Sequence, residues 1–120
     1  MKYRYNTATL YHEANHLRKT NSALFNKIKE LALDAAKDPE YFIGCGREPR
    51  NGSKGLGKPE RLSGTLAGWY SRRITESDRL VYRVEGGVFV IRSVKGHYTS
   101  LNSTSSQLWD SQLDEAFGVL

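Results

Sequence analysis

Apolar positions in the first third of the chain recur at intervals of three and four. Leu10, Tyr11, Ala14 and Leu17 form one stripe, and Leu24, Phe25, Ile28, Leu31, Ala32 and Ala35 form a second, each with polar residues on the remaining positions. That period predicts two amphipathic helices in succession. Thr7 can cap the first, and the polar run of residues 20–22 supplies a start signal for the second. Pro39 bars continuation and pushes its predecessor out of the helical region. Ahead of the helices, residues 3–6 read as a short aromatic strand.

Beyond Pro59 the period changes from helical to alternating. Strands are expected over residues 61–62, 69–75, 79–84 and 88–94. The last two form a hairpin, because Gly86-Gly87 supplies the positive backbone angles of a two-residue turn. Its register sets Leu80, Tyr82 and Val84 on the same face as Phe89, Ile91 and Ser93, and this face should cover the helices. The opposite face then carries Arg79, Val81 and Arg83 beside Val90, Arg92 and Val94, an arginine-rich surface that an antiparallel sheet can leave open to solvent. In the tail, Leu108, Trp109, Leu113, Ala116 and Phe117 fit one further amphipathic helix. The expected class is α+β: two N-terminal helices packed on one face of a small, mainly antiparallel twisted sheet, with a C-terminal helical extension. At 120 residues the chain suits one core, so the expected division is a domain over 1–100 and an appendage over 101–120.

Charge narrows the partners. Lys and Arg outnumber Asp and Glu by 18 to 13, a formal charge of +5, which favours a polyanion, nucleic acid first. The single cysteine, Cys45, cannot form an internal disulfide, as befits a reducing compartment, so a cytoplasmic location is expected. No apolar run is long enough to span a membrane, and residues 1–10 lack a signal-peptide core. Residues 41–59 combine Gly44, Gly46, Gly52, Gly55 and Gly57 with Arg47, Arg50, Lys54 and Lys58. Such a loop either embraces a phosphate chain or is a mobile solvated surface, since glycine density without fixed spacing specifies no phosphate cradle.

His12-Glu13-Ala14-Asn15-His16 satisfies a zinc-peptidase pattern, H-E-x-x-H on a helix. Both histidines nevertheless project away from the Leu10, Ala14 and Leu17 stripe and no third ligand is assignable. No metal site and no cofactor are therefore expected. Cys45 lacks an identifiable base to activate it and reads as incidental.

A more specific set of segments begins at Gly57-Lys58-Pro59-Glu60-Arg61-Leu62. It runs through Trp69-Tyr70-Ser71-Arg72-Arg73-Ile74-Thr75-Glu76 and Asp78-Arg79-Leu80-Val81-Tyr82-Arg83-Val84 to Lys95-Gly96-His97-Tyr98. In this order the segments resemble the YoeB/Txe family of bacterial toxins in the RelE/ParE superfamily. The resemblance implies a RelE-like fold and a messenger-RNA interferase that acts on the ribosome and pairs with a cognate antitoxin. It also implies Glu60 as general base, His97 as general acid and Arg79 as stabiliser of the phosphorane, with Arg73, Arg72, Lys58, Arg61 and Tyr98 as RNA contacts. The chemistry is self-consistent: RNA carries its own nucleophile, the 2′-hydroxyl, so a base, an acid and cations suffice. Trp69 and Tyr70 read as packing residues, whereas Tyr98 can stack on a base.

Two features depart from that family. Residues 99–120 follow the His-Tyr pair, which lies at or near the chain end in the resembling toxins, and the 41–55 loop is enlarged. A homodimer is a further possibility. The strict hairpin register also sets His97 on the face away from Arg79, so irregular backbone is expected at Gly96 to re-aim it. Three rival readings remain at this point: a non-catalytic relative that poisons gyrase, an inactive RNA-binding module, and a zinc peptidase.

Overall fold

The structure, a computed structural model, describes residues 2–94. His97, Tyr98, the irregularity expected at Gly96 and the expected 101–120 helix lie outside the described residues. Strand β1 (Lys2–Tyr5) leads into α1 (Ala8–Thr20) and α2 (Ser22–Lys37). A long loop then reaches β2 (Glu60–Arg61), and β3 (Tyr70–Arg73), β4 (Arg79–Glu85) and β5 (Val88–Ser93) follow. The five strands form one sheet in the order β1-β5-β4-β3-β2. Its pairings are antiparallel except that of β1 with β5, which is parallel.

Capping explains where the helices start. Thr7 Oγ1 accepts from Leu10 N at 3.1 Å, and Asn21 Oδ1 accepts from Leu24 N at 3.2 Å, so each side chain satisfies a donor that the helix itself leaves orphaned. Asn21 also ends α1, its own N–H donating to Leu17 O at 2.8 Å. One residue thus closes one helix and opens the next. The predicted stripes, together with Tyr3 and Tyr5 of β1, pack on Leu80, Tyr82, Phe89 and Ile91 to form the main core. Tyr70, Tyr82 and Phe89 stack in sequence across the strands, with centroids 6.2 and 5.1 Å apart.

Two expectations about the sheet are corrected. The hairpin turn lies at Gly86-Gly87 as predicted, but the ladder is not regular: Tyr82 pairs with Ile91 and Val81 with Ser93, so β5 carries one extra residue, Arg92. This bulge returns Ser93 to the face opposite the helices and turns Val94 into the helix-side core, the reverse of the regular register. It also removes the reason for expecting a correction at Gly96, since the alternation has already changed phase. Nor is the second face an open arginine surface. Leu62, Leu66 of a 3₁₀ turn (Gly64–Leu66) and Trp69 fold over Val81 and Val90 and make a second, smaller core. A sheet whose central valines have 0 % exposure on this side is apolar there for the ordinary reason, that burying each such side chain is worth about 1.5–3 kcal/mol.

Candidate functional site: a carboxylate and two arginines at one end of the sheet

The 41–59 loop is held down by two aspartates one helical turn apart at the end of α2. Asp38 accepts a bidentate pair from Arg47, at 2.7 and 3.0 Å, and the Arg50 backbone N–H at 2.8 Å. Asp34 accepts from Ser53 Oγ, Lys54 N and Leu56 N. Of the two readings left open for this loop, the mobile solvated one is therefore replaced by a tied one. Cys45 sits within it, its thiol 3.6 Å from Arg47 O.

Asp34 has a fourth partner, Arg72. This guanidinium donates from Nη1 to Asp34 Oδ2 at 2.5 Å and to Leu56 O at 3.2 Å, and from Nε to the Tyr82 hydroxyl at 2.9 Å. Arg72 has 0 % exposure. It shares the helix-side face with Leu80, its partner in the ladder, and so cannot serve as the RNA contact expected of it. Its place is structural: it ties β3 to α2 and to the loop. Burial would raise the Asp34 pKa, but the hydrogen bonds from Lys54, Arg72, Leu56 and Ser53 outweigh it and hold the carboxyl below its ordinary value.

The neighbouring residue has the opposite fate. Arg73 is exposed, and its backbone N–H donates to Gly57 O at 2.6 Å, which fixes the Gly57-Lys58 segment against the end of β3. Gly57 is required there. Its φ is +77°, and a Cβ would meet Leu31 Cδ2 at 2.8 Å and Arg73 O at 3.0 Å. Gly57→Ala is expected to destabilise the fold by about 1–3 kcal/mol, read as a lower urea midpoint with an unchanged m-value.

Register then decides which of the expected residues share a face. Glu60 pairs with Ser71, Ser71 with Val81, and Val81 with Ser93, a single row across four strands. Two residues further along, Arg73 pairs with Arg79. Directly paired residues and residues two apart point to the same side, so Glu60, Arg73 and Arg79 occupy one face at one end of the sheet. From strand and residue spacings, the Glu60 and Arg79 Cα atoms are about 12 Å apart, a gap that two long side chains can close around one phosphate. Arg79 is also braced: its Nη1 donates to the carbonyls of Thr75, Glu76 and Asp78 at 2.9, 3.1 and 3.1 Å. Thr75 Oγ1 in turn donates to Asp78 Oδ2 and accepts the Ser77 and Asp78 N–H groups. The guanidinium is therefore positioned before any ligand arrives, with further N–H groups on Nε and Nη2 for an anion.

Other expected contacts scatter. Lys58 is exposed, two residues ahead of Glu60, with φ at +51°. Arg61 is exposed too, but it pairs with Tyr70 on the helix side and lies 5.9 Å from the Phe42 ring, across the edge from Glu60. His12 and His16 are exposed on α1, and among the described residues no group of three or more His, Cys, Asp or Glu side chains could hold a metal ion. What sequence reasoning missed was the pairing of Asp34 with Arg72. Its signal was present, since an aspartate lay among the apolar positions Leu31, Ala32 and Ala35.

A helical hairpin on one face of a five-stranded mixed sheet, with an acid and two arginines on the other, is the arrangement that the resemblance to RelE/ParE toxins led one to expect. The family model for the YoeB-like toxin of bacterial type II toxin-antitoxin systems matches residues 6–98. The chain is 35% identical over 83 residues to the toxin YoeB of Streptomyces coelicolor, covering 69% of this chain and 83% of that protein. It is 36% identical over 81 residues to that of Escherichia coli K12, covering 68% and 81%. Among solved structures, a YoeB/ParE toxin from Agrobacterium tumefaciens superposes with a TM-score of 0.64 at 33% identity, covering 82% of this chain and all of that one. A heterotetrameric YoeB-YefM toxin-antitoxin complex from Staphylococcus aureus matches with a TM-score of 0.63 at 28% identity, over 82% of this chain and 98% of that one. The chain belongs to the YoeB toxin family of type II toxin-antitoxin systems.

Proposed function

We propose that this toxin is an endoribonuclease that cleaves messenger RNA on the ribosome by attack of the substrate's own 2′-hydroxyl. The observation that carries this reading is the gathering of Glu60, Arg73 and Arg79 on one face by strand register. Glu60 takes the proton from the 2′-hydroxyl, and the freed O2′ attacks phosphorus. Arg79, with Arg73 beside it, neutralises charge on the phosphorane oxygens. The bond from phosphorus to O5′ breaks, and His97 protonates that oxygen as it leaves. A 2′,3′-cyclic phosphate and a 5′-hydroxyl end result, and the step calls for neither metal nor cofactor because nucleophile, base, acid and counter-charge are all accounted for.

In this reading Lys58, exposed two residues ahead of Glu60, contacts the flanking backbone, and Tyr98 stacks on a base next to the scissile bond. Arg61 serves at most a strand passing over the β2 edge. The Staphylococcus aureus relatives are described as a YoeB-YefM complex and as a YoeB dimer, which supports a cognate antitoxin as the partner that holds this toxin inactive and self-association as a second state. Cytoplasmic action follows from the substrate.

Primer extension on messages from cells expressing the wild type or Glu60→Ala tests the proposal. Cuts at a fixed codon position, bearing 5′-hydroxyl ends and present in the wild type alone, are the expected result. Growth arrest without new RNA ends, persisting in His97→Gln, would instead place the protein with the gyrase-poisoning relatives.

A further inference from the structure

Two guanidinium groups share one indole on the second face of the sheet. Trp69 is buried, with the Arg83 guanidinium 4.2 Å and that of Arg92 5.2 Å from its ring centre. Arg92 follows the helix-side Ile91 and so lies on the same face as Arg83, and it is the residue that the bulge leaves unpaired in the ladder. One carboxylate bonds to the group: Glu85 accepts from Arg83 Nη2 at 2.9 Å and from Arg4 Nη2 at 3.3 Å. Arg83 also lines a cavity of about 310 Å³ together with Asp38 and Glu40, and Asp38 is already bound to Arg47. Arg92 has no carboxylate partner among the described residues. Its Nε, like that of Arg83, is buried there without a hydrogen-bond acceptor. Burial and the nearby Arg83 charge both lower the Arg92 pKa.

Stacking on Trp69 compensates part of the cost of holding like charges together, but it leaves N–H groups unmatched and positive charge in excess. A bound anion would supply the missing counter-charge. We infer that the Arg83–Trp69–Arg92 cluster is a second RNA contact, a phosphodiester site separate from the cleavage edge; the inference rests on the ribonuclease reading above. Arg83 stands four residues from Arg79 along β4 on the same face, about 13 Å away, which a single strand of RNA spans in a few nucleotides. Guanidinium edges match phosphate oxygens well. Trp69 is the floor of the site and not a base-stacking platform, so the contact sets the path of the strand without reading its sequence. An acidic protein segment fits less well, because protein hot spots need apolar anchors and the large exposed hydrophobic of the described residues, Ile43, lies elsewhere in the 41–59 loop.

The test uses a short 2′-O-methyl RNA, which lacks the nucleophile and cannot be cut, and the full chain carrying Trp109→Phe so that Trp69 is its remaining indole. Binding is followed by Trp69 emission across a salt series. RNA is expected to change that emission. Arg92→Gln is expected to weaken binding several-fold at low salt and to flatten the log–log salt slope by about 0.7, one phosphate contact on a single strand. Arg92→Lys should restore the slope, and Lys19→Gln, an exposed charge at the end of α1, should not alter it. An unchanged slope in Arg92→Gln, an equal change in Lys19→Gln, or tighter binding of polyglutamate than of RNA would overturn the inference. Cleavage of unmodified RNA by the same protein, assayed in parallel, judges the ribonuclease reading independently.

Discussion

Glu60→Gln is expected to slow RNA cleavage by about a hundred- to ten-thousand-fold, the range over which a positioned general base contributes, while leaving the protein folded. Glu60 is exposed at the sheet edge and its side chain is in no hydrogen bond or ion pair with the described residues, so the stability should change by no more than about 0.5 kcal/mol. Arg79→Ala should cost about a hundred- to a thousand-fold, as the loss of one preorganised donor to a developing anion does. Part of that loss would come from the turn, since the Arg79 guanidinium also braces the carbonyls of Thr75, Glu76 and Asp78. Arg79→Lys separates the two contributions by keeping the charge and losing the fork. The double variant Glu60→Gln/Arg79→Ala should fall short of the product of the single losses, because groups that serve one transition state are not additive. Single-turnover cleavage of a defined RNA measures all four, and wild-type rates in Glu60→Gln would remove the carboxylate from the mechanism.

The second large effect concerns stability. Asp34→Ala should cost about 3–5 kcal/mol, because it leaves the fully buried Arg72 guanidinium without its counter-charge. It also frees the N–H groups of Lys54 and Leu56. Arg72→Met should cost less, since Asp34 keeps those two backbone donors and Ser53. Urea denaturation reads the difference, and equal losses would mean that the ion pair, not the loop tie, is what Asp34 supplies. A pH series gives an independent check. The Asp34 and Asp38 carboxyls both titrate below the ordinary 3.8 when folded, so the unfolded chain binds more protons in acid. Their stabilisation is complete above about pH 5 and drains away as pH falls through the lowered values. The melting temperature of Asp34→Asn should therefore fall less steeply than that of the wild type as the pH drops from about 5 to 2.

The elements that the sequence disclosed are those whose causes are local. Both helices start at side-chain caps, the second ends ahead of Pro39, and the Gly86-Gly87 turn paired Tyr82 with Ile91 and Val84 with Phe89, as strand alternation from the turn required. The bulge at Arg92 had no glycine or proline to announce it, and it moved Ser93 and Val94 to the faces opposite those expected. The second core also escaped notice, since Leu62, Leu66 and Trp69 meet only after a 3₁₀ turn folds them back over the valines. Of the candidate site, Glu60, Arg73 and Arg79 were expected from motif order, and register sets them on one face. Arg72 and Arg73 show the limit: adjacent and chemically identical, they differ only in which side of the sheet they meet. One is locked under a helix and the other is open to an anion.

The parallel pairing of β1 with β5 has a consequence for how the chain comes into being. Of the five described strands Lys2–Tyr5 leaves the ribosome earliest, yet its hydrogen-bonding neighbour is Val88–Ser93. Contacts so far apart in sequence form late, after the cost of closing the intervening loop has been met. Tyr3 and Tyr5 must therefore wait, uncovered on one side, while the helical pair assembles and nearly the whole described chain is translated. During that interval the nascent polypeptide holds an unfinished sheet, which makes the timing of elongation itself a determinant of when a competent molecule first exists.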